Sequence, residues 1–77
     1  MISGLHGGHV IRVIRNMRGM TQEEVSDLYG VSLRTLKGWE AGRSEPRLSD
    51  VHGICETVCR VSLLQALVIA TAKVETA

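Results

Sequence analysis

The sequence predicts an all-α domain of five short helices. Apolar residues recur at helical spacings of three and four, and glycines and hydroxyl side chains stand where each periodic segment begins or ends. Aromatic residues make up only 3% of the 77 residues, so aliphatic side chains must fill the core, as suits packed helices. At this length the chain forms one compact domain with a marginal core, which a partner subunit would help to stabilise.

The first helix is predicted to run from about His9 to Arg18. Three apolar residues recur at the i, i+4 and i+7 spacing of one helix face: Val10, Ile14 and Met17. Gly19 is a suitable left-handed stop. Residues 1–8 carry three glycines and no clear period, so they are predicted to form a flexible arm. His6 and His9 are expected to be solvent-exposed or to make weak backbone contacts there.

The second helix is predicted to begin after Thr21, a good N-cap residue. Glu24, three residues later, completes a capping box, and Gly30 ends the helix. Its buried side is predicted to consist of Val25, Leu28 and Tyr29. The acidic residues of this helix are interpreted as partners of the cap and the helix dipole rather than as catalytic acids.

The third helix follows after a turn of about three residues that contains glycine. Ser32 is its predicted N-cap, and Gly42 ends it. Leu36 and Trp39 are its apolar residues, and Trp39 is interpreted as a core residue rather than as a stacking platform for bases. Two short helices joined in this way have the spacing of a helix-turn-helix.

Two more helices are predicted in the C-terminal half of the chain. The fourth runs from about Leu48 to Val58, and its apolar stripe is formed by Val51, Ile54, Cys55 and Val58. Ser62 caps a fifth helix that runs to about Val74 and is apolar nearly all round. No internal repeat and no domain boundary interrupts the chain.

A series of spaced matches lies in the segment IRNMRGMTQEEVSDLYGVSLRTLKGWEAGRSEP. It combines an arginine in the first helix, a Thr-Gln-Glu-Glu start of the second, a Gly-Val-Ser turn and a Trp-Glu-x-Gly-Arg end of the third. The matching positions are Arg15, Thr21 to Glu24, Gly30 to Ser32, Trp39 to Arg43 and Pro46. This pattern resembles the helix-turn-helix of the Cro and lambda-repressor family of DNA-binding regulators, and it covers about half of the chain.

The resemblance implies that the third helix lies in the major groove of a double-stranded DNA operator. Its reading positions would be Ser32, Leu33, Arg34, Thr35 and Gly38, with Lys37 nearby. Arg34 can offer a bidentate fork to guanine, and Leu33 can lie against a thymine methyl group. Gly38 stands where relatives often carry a longer polar reader, which implies either one contact fewer or room for the backbone to come close.

Phosphate contacts are implied on both sides of the reading helix. Gln22 lies in the first turn of the second helix, and Arg43 and Arg47 follow the third. Arg15 and Glu40 match a family ion pair that ties the first helix to the third, with Arg15 close enough to the DNA backbone to contribute to binding.

The distribution of charge is compatible with such a surface. The net charge is only +1, which excludes a global field that would attract a polyanion. Seven of the nine basic residues fall between positions 12 and 47, together with five acids. Only a patch on one face of the domain could therefore be strongly positive.

The fifth helix is predicted to form a homodimer. Its apolar residues cover more than one side, and so small a domain cannot bury them all. They are Leu63, Leu64, Leu67, Val68 and Ile69. The segment VCRVS before this helix carries one residue more than in relatives and no glycine, which leaves the direction of the helix open. The same surface could bind another regulatory protein.

The predicted function is transcriptional regulation by a dimer similar to phage Cro proteins or short repressors, bound to a palindromic operator. Two alternatives stay open: the antitoxin of a toxin–antitoxin pair, and a protein-interaction module that has kept the fold without DNA binding. The low net charge and Gly38 favour the second alternative. Four basic residues of the third helix and the loop after it oppose it: Arg34, Lys37, Arg43 and Arg47.

No catalytic activity, metal or cofactor is predicted. His52, Cys55 and Cys59 share one helix face and are ligand types for zinc or redox chemistry. However, Cys55 falls on the apolar stripe, and three ligands on one straight helix span too far for one tetrahedral ion. No nucleophile–base pair and no glycine loop for phosphates is apparent. Without an export signal or an apolar run of about 18 residues, a prokaryotic cytoplasm and free thiols are expected.

Overall fold

Five α-helices and one π-helical turn make up the computed structural model, which describes residues 6–76 and their side chains as far as residue 72. The elements are α1 (Gly7–Met17), α2 (Gln22–Tyr29), α3 (Leu33–Glu40), α4 (Leu48–Gly53), the π-helical turn Ile54–Val58 and α5 (Leu63–Thr76). Residues 6–76 contain no strand. The predicted all-α class with five helices is therefore confirmed.

The core surrounds α1, which contacts α3, α4, the π-helical turn and α5. Its buried residues are Val10, Ile11, Ile14, Val25, Leu36, Trp39, Val51, Ile54, Cys55, Cys59, Val61, Ala66 and Ala70. All but Trp39 are aliphatic or cysteine, as the low aromatic content predicted. Trp39 itself is buried behind α3, which confirms that it is a core residue.

The caps of α2 and α3 are those that the sequence predicted. Thr21 Oγ1 accepts a hydrogen bond from Glu24 N at 3.0 Å, and Glu24 Oε1 accepts one from Thr21 N at 2.8 Å. Gly30 ends α2 with a φ of 87°, a left-handed conformation that favours glycine. Ser32 Oγ accepts from Thr35 N at 3.0 Å. The turn between the two helices is thus fixed by local hydrogen bonds at both ends.

The start of α1 differs from the predicted flexible arm. Residues 1–5 lie outside the described part of the chain, but His6 is the N-cap of α1, and its Nδ1 accepts from His9 N at 3.2 Å. Gly8 is buried, and a Cβ atom there would overlap the carbonyl oxygen of Trp39. This glycine therefore permits a close approach of α1 to the end of α3 rather than flexibility.

His9 is half-buried, so of the two expectations for it, exposure to solvent or a weak backbone contact, the first is wrong. Its Nε2 is buried and makes no hydrogen bond of good geometry within residues 6–76. Burial lowers the pKa of His9, although the nearby backbone carbonyl of Ala70 raises it. The imidazole is thus part of the contact between α1 and α5 in its neutral form.

Leu28 is 67% exposed, so the prediction that it belongs to the buried side of α2 is wrong. Val25 and Ser26 are buried and Tyr29 is half-buried. At about 100° of rotation per residue, the inward face of α2 is centred between Val25 and Ser26, and Leu28 lies well outside it. The spacing of apolar residues was compatible with burial of either of two adjacent faces of this helix. The face that packs against α3 is the one without Leu28.

The fourth helix is not a single α-helix to Val58, as was predicted. Ile54–Val58 is a π-helical turn in which Cys59 N donates to Ile54 O at 2.9 Å. Arg60 follows with a φ of 61°, the left-handed conformation in which glycine commonly ends helices. A π turn encloses one residue more than an α turn, and Arg60 takes the position after it without being a glycine.

The last helix begins as predicted, because Ser62 Oγ accepts from Gln65 N at 3.2 Å. Within residues 6–76, no single helix is long and apolar enough to cross a membrane. Leu48–Val58 and Leu63–Ala72 reach that length and composition only together, across a bend of 99°.

Gly8→Ala is expected to lower the free energy of unfolding by about 3 kcal/mol, the upper part of the range for overpacked sites, because its Cβ would collide with the backbone of Trp39. Urea unfolding followed by circular dichroism measures this change.

Gly38→Ala is the matched control, since it also replaces a helical glycine but would place its Cβ 3.5 Å from Ser44 Oγ, an ordinary contact. Its stability is expected to stay equal or to rise by up to about 1 kcal/mol from helix propensity. If Gly8→Ala were as stable as the unmodified protein, the close approach of α1 to α3 would be contradicted.

Candidate nucleic-acid interface

The outward face of α3 is basic. Arg34, Lys37 and Ala41 are exposed at the i, i+3 and i+7 spacing of one helix face. Leu33, one turn before Lys37, is half-buried at the edge of this face. Because the opposite side of α3 is buried in the core, its two cationic side chains point away from the domain.

Two of the predicted reading residues are engaged in the cap of α3. Ser32 Oγ donates to Thr35 Oγ1 at 2.8 Å, in addition to accepting from Thr35 N. Both residues are exposed, and the Thr35 hydroxyl keeps its own hydrogen for an external acceptor. Their side chains can therefore contact a ligand only in the conformations that the cap hydrogen bonds impose.

Gly38, which was predicted as a reading position, lies four residues after Arg34 on the outward side of α3 but has no side chain to present there. It is buried, and its carbonyl oxygen accepts from Arg43 N at 2.9 Å and from Ser44 N at 3.4 Å. The loop after α3 thus covers this part of the helix. Gly42, with a φ of 79°, reverses the chain and makes that return possible.

A buried ion pair holds α3 against α1. Arg15 Nε donates to Glu40 Oε2 and Arg15 Nη2 to Glu40 Oε1, both at 2.8 Å. The side chains are only 12% and 5% exposed. The hydrogen bonds to Glu40 raise the pKa of Arg15, and two parallel charge-assisted bonds form the strongest geometry for such a pair. The predicted tie between the first and third helices is confirmed.

The same pair also positions the start of α2. Arg15 Nη1 donates to the carbonyl oxygen of Met20 at 2.8 Å, and Gln22 Nε2 donates to Glu40 Oε1 at 3.1 Å. The amide nitrogen of Gln22, a predicted phosphate contact, is thus directed inward to Glu40. Three helices therefore meet at one carboxylate, and the first turn of α2 lies beside α3.

A shallow basic depression of about 300 Å³ opens beside this pair. It is lined by Arg12, Arg15, Gln22, Lys37, Glu40 and Ala41. Glu40 is neutralised by Arg15, whereas Arg12 and Lys37 are exposed and form no ion pair with any described residue. Arg12 was not among the predicted site residues, although its spacing of three from Arg15 on α1 could have indicated it.

Arg43 and Arg47 lie in the exposed loop between α3 and α4. The backbone N–H of Arg47 donates to Asp50 Oδ2 at 3.2 Å and so caps α4. Neither guanidinium forms an ion pair within the described residues. Both residues are exposed, and their contact with phosphates stays a prediction.

The apolar residues of α5 divide into two sets. Leu64 is 75% exposed, Val68 62% and Leu67 39%, and together with Thr71 they follow the i, i+3, i+4 and i+7 spacing of one face. Leu63 and Ile69 instead pack against the core. The predicted dimerisation surface is thus reduced to three residues, which we call the α5 stripe: Leu64, Leu67 and Val68.

The histidine and cysteines of the fourth helix do not form a metal site. His52 is exposed and its Nε2 lies 3.4 Å from Glu56 Oε2, while both cysteines are buried. Burial raises the pKa of Cys55 to about 12 and also raises that of Cys59, so both thiols stay protonated and unreactive. In the described part of the chain, no cluster of three His, Cys, Asp or Glu could hold a metal ion.

A sequence model of a helix-turn-helix family matches residues 11–57, from α1 to the π-helical turn. The chain therefore belongs to this family, the lambda-repressor type of helix-turn-helix, a family of DNA-binding regulators. No curated protein and no solved structure matches the chain.

Glu40→Ala is expected to lower the free energy of unfolding by about 3 kcal/mol, because it leaves the half-buried guanidinium of Arg15 without its carboxylate. Asp27→Ala, which removes an exposed carboxylate of α2, is expected to change stability by less than about 0.5 kcal/mol. Thermal unfolding of the two variants in parallel measures the difference. Unaltered stability of Glu40→Ala would mean that the pair behaves like an exposed surface ion pair.

Proposed function

We propose that the protein is a sequence-specific transcriptional regulator that binds a palindromic operator as a homodimer, with α3 in the major groove. The observation that carries this proposal is the basic outward face of α3, held in place by the buried pair Arg15–Glu40. A reading helix must present its side chains at a fixed depth and angle. The ion pair, the caps and the buried Trp39 together supply that rigidity.

Base recognition is assigned to the first turns of α3. Arg34 is exposed and can donate two parallel hydrogen bonds to the O6 and N7 atoms of guanine. Leu33, at the edge of the face, can contact a thymine methyl group. Lys37 lies one turn further on the same side and can reach either a base edge or a phosphate.

Phosphate contacts are assigned to the cations around that face. Arg12 and Lys37 border the depression beside α2, and Arg43 and Arg47 lie in the loop beyond α3. Phosphate contacts fix the register of a protein on DNA without reading the sequence. A net charge of only +1 is compatible with this role, because the acids of α2 serve its cap and Glu40 is paired internally.

Arg34→Ala is expected to weaken binding to the operator by about 1–3 kcal/mol and to remove the preference at one base pair of each half-site. Arg34→Lys keeps the charge but not the planar fork, so it is expected to lose the base preference while the dependence of affinity on salt stays unchanged. Competition with duplexes that differ in one base pair, at several salt concentrations, measures both properties.

Arg43→Ala is the matched comparison and is expected to show the opposite pattern. It weakens binding to all sequences alike, and it lowers the slope of log affinity against log salt by about one. If Arg34→Ala kept both its affinity and its base preference, the assignment of α3 as the reading helix would be wrong.

Dimerisation is assigned to the α5 stripe. Three neighbouring aliphatic side chains on one exposed helix face form an apolar patch of the kind that a second copy can cover. The groove at the start of α4, lined in part by Leu48 and Leu67, continues this apolar surface, and Leu48 is 70% exposed. A two-fold pair would cover both and would place two reading helices about 34 Å apart, one turn of DNA.

Val68→Glu is expected to produce a monomer of 8.4 kDa that binds the full palindrome much more weakly, because the avidity of two linked half-sites is lost. Its affinity for an isolated half-site is expected to change little, since Val68 lies outside the reading surface. Gln65→Glu is the control, because it adds the same charge at an exposed polar position beside the α5 stripe.

Sedimentation at micromolar concentration and binding to the two kinds of DNA measure these effects. A monomeric unmodified protein that still bound a palindrome tightly would contradict the dimer. A monomer that bound no palindrome would instead favour the alternative of an antitoxin, with a toxin or another regulatory protein covering the α5 stripe. A folded protein without affinity for any duplex would favour an interaction module that has lost DNA binding.

Repression is the regulatory outcome that this arrangement supports best. A dimer that occupies one turn or more of operator DNA excludes other proteins from the same groove. The protein would then act in the cytoplasm of a prokaryotic or phage-infected cell, in the manner of a Cro-like repressor.

A further inference from the structure

We propose that Arg18 is a positioning residue that fixes the direction of α5 and thereby sets the distance between half-sites that the dimer accepts. The inference rests on the dimeric function proposed above and names the residue that controls its geometry. Arg18 directly follows α1, on which Arg15 holds the reading helix. The contact that holds α3 and the contact near the start of α5 thus come from α1 and the residue that follows it.

The guanidinium of Arg18 binds the end of the π-helical turn. Its Nε donates to the carbonyl oxygen of Cys59 at 2.7 Å, and its Nη2 donates to the carbonyl oxygen of Arg60 at 3.3 Å. The last carbonyl groups of a helical segment lack partners within the segment, and a cation is favourable there. Arg18 therefore supplies hydrogen-bond donors to the carbonyl groups at which the chain turns towards α5.

Other contacts also hold this junction, because Leu63 N donates to Glu56 Oε2 at 3.0 Å and α5 packs against α1. Val61 N donates to Cys55 O at 2.8 Å across the turn, and Arg60 takes a left-handed conformation that favours glycine. The helical segments on either side are bent by 99° relative to each other. The angle of a π turn followed by a left-handed non-glycine residue depends on such contacts, and Arg18 adds one from the end of α1, across 41 residues of sequence.

A small change in the direction of α5 has a large effect on the reading helices. A rotation of about 10° over the 31 Å length of the domain moves its far end by about 5 Å, which exceeds the rise of one base pair, about 3.4 Å. The two-fold axis of the proposed dimer passes through the α5 stripe. A rotation of one domain relative to α5 is therefore repeated in the other domain, and the displacements of the two reading helices add. The distance between half-sites is therefore the property most sensitive to Arg18.

A purely structural role for Arg18 has a different signature. It would lower stability and weaken binding at every distance between half-sites by the same factor. A positioning role leaves the half-site sequence unchanged and alters only the accepted distances. Arg18 is exposed and is not one of the core residues, so its replacement leaves the packed interior intact.

The test is a selection from duplex DNA that contains about three helical turns of random sequence, with full-length protein and with three variants. For the unmodified protein we expect one inverted repeat at one distance. Arg18→Ala is expected to select the same half-site at two or more distances, so that the preference for a single distance is lost. Arg18→Lys, which can still donate to one carbonyl group, is expected to recover part of that preference.

Asn16→Ala, an exposed replacement on α1 two residues earlier, is the control and is expected to select the same distance as the unmodified protein. Circular dichroism confirms that each variant is helical before selection. If Arg18→Ala selected the same single distance, this inference would be overturned while the proposed function stood. If the unmodified protein enriched no inverted repeat at all, the dimeric function would fail and the inference with it.

Discussion

The buried carboxylate of Glu40 is the point on which the arrangement of the first three helices depends. It accepts two hydrogen bonds from Arg15 of α1 and one from Gln22 of α2, and it belongs to the last turn of α3. A buried charge is costly unless its partners are in place, so an alternative position of any of these helices would leave an unpaired charge. The ion pair therefore specifies where α3 lies, in addition to any net stability it provides.

The two faces of α3 follow from this constraint. Leu36, Trp39 and Glu40 are buried, which leaves Arg34 and Lys37 outside. The close contact of Gly8 with the backbone of Trp39 brings α1 against the end of the same helix. The reading positions are therefore held in place by residues on the buried face of α3 and on α1 that do not contact the ligand.

Local signals in the sequence predicted the helices and their caps well. Thr21, Gly30 and Ser32 act through neighbours within a few residues, so their roles can be inferred from spacing alone. Gly8 and Leu28 could not be assigned in this way. The role of Gly8 depends on a backbone 31 positions away, and the exposure of Leu28 depends on which of two apolar faces meets α3. The π-helical turn escaped prediction because its apolar spacing is close to that of an α-helix.

The candidate site was predicted largely through resemblance to a family, and the structure adds what the resemblance did not contain. Arg15–Glu40 was expected and is present, whereas Gly38 is covered by the loop after α3 and Arg12 joins the basic face. The spacing of Arg12 from Arg15 on α1 could have indicated it, but the first turn of α2, which completes its surroundings, becomes adjacent only in three dimensions. In the same way, Leu63 and Ile69 could not be separated from the α5 stripe without knowing which side of α5 meets the core.

The central claim is that Arg34 on the outward face of α3 reads a base in the major groove. Replacement of single guanines in the bound operator by 7-deazaguanine, which lacks the N7 acceptor of the major groove, tests this contact directly. We predict that one such replacement in each half-site weakens binding of the unmodified protein but has no further effect on Arg34→Ala, since the two changes remove the same hydrogen bond. The account would be contradicted if no 7-deazaguanine weakened binding, or if Arg34→Ala remained equally sensitive to each replacement.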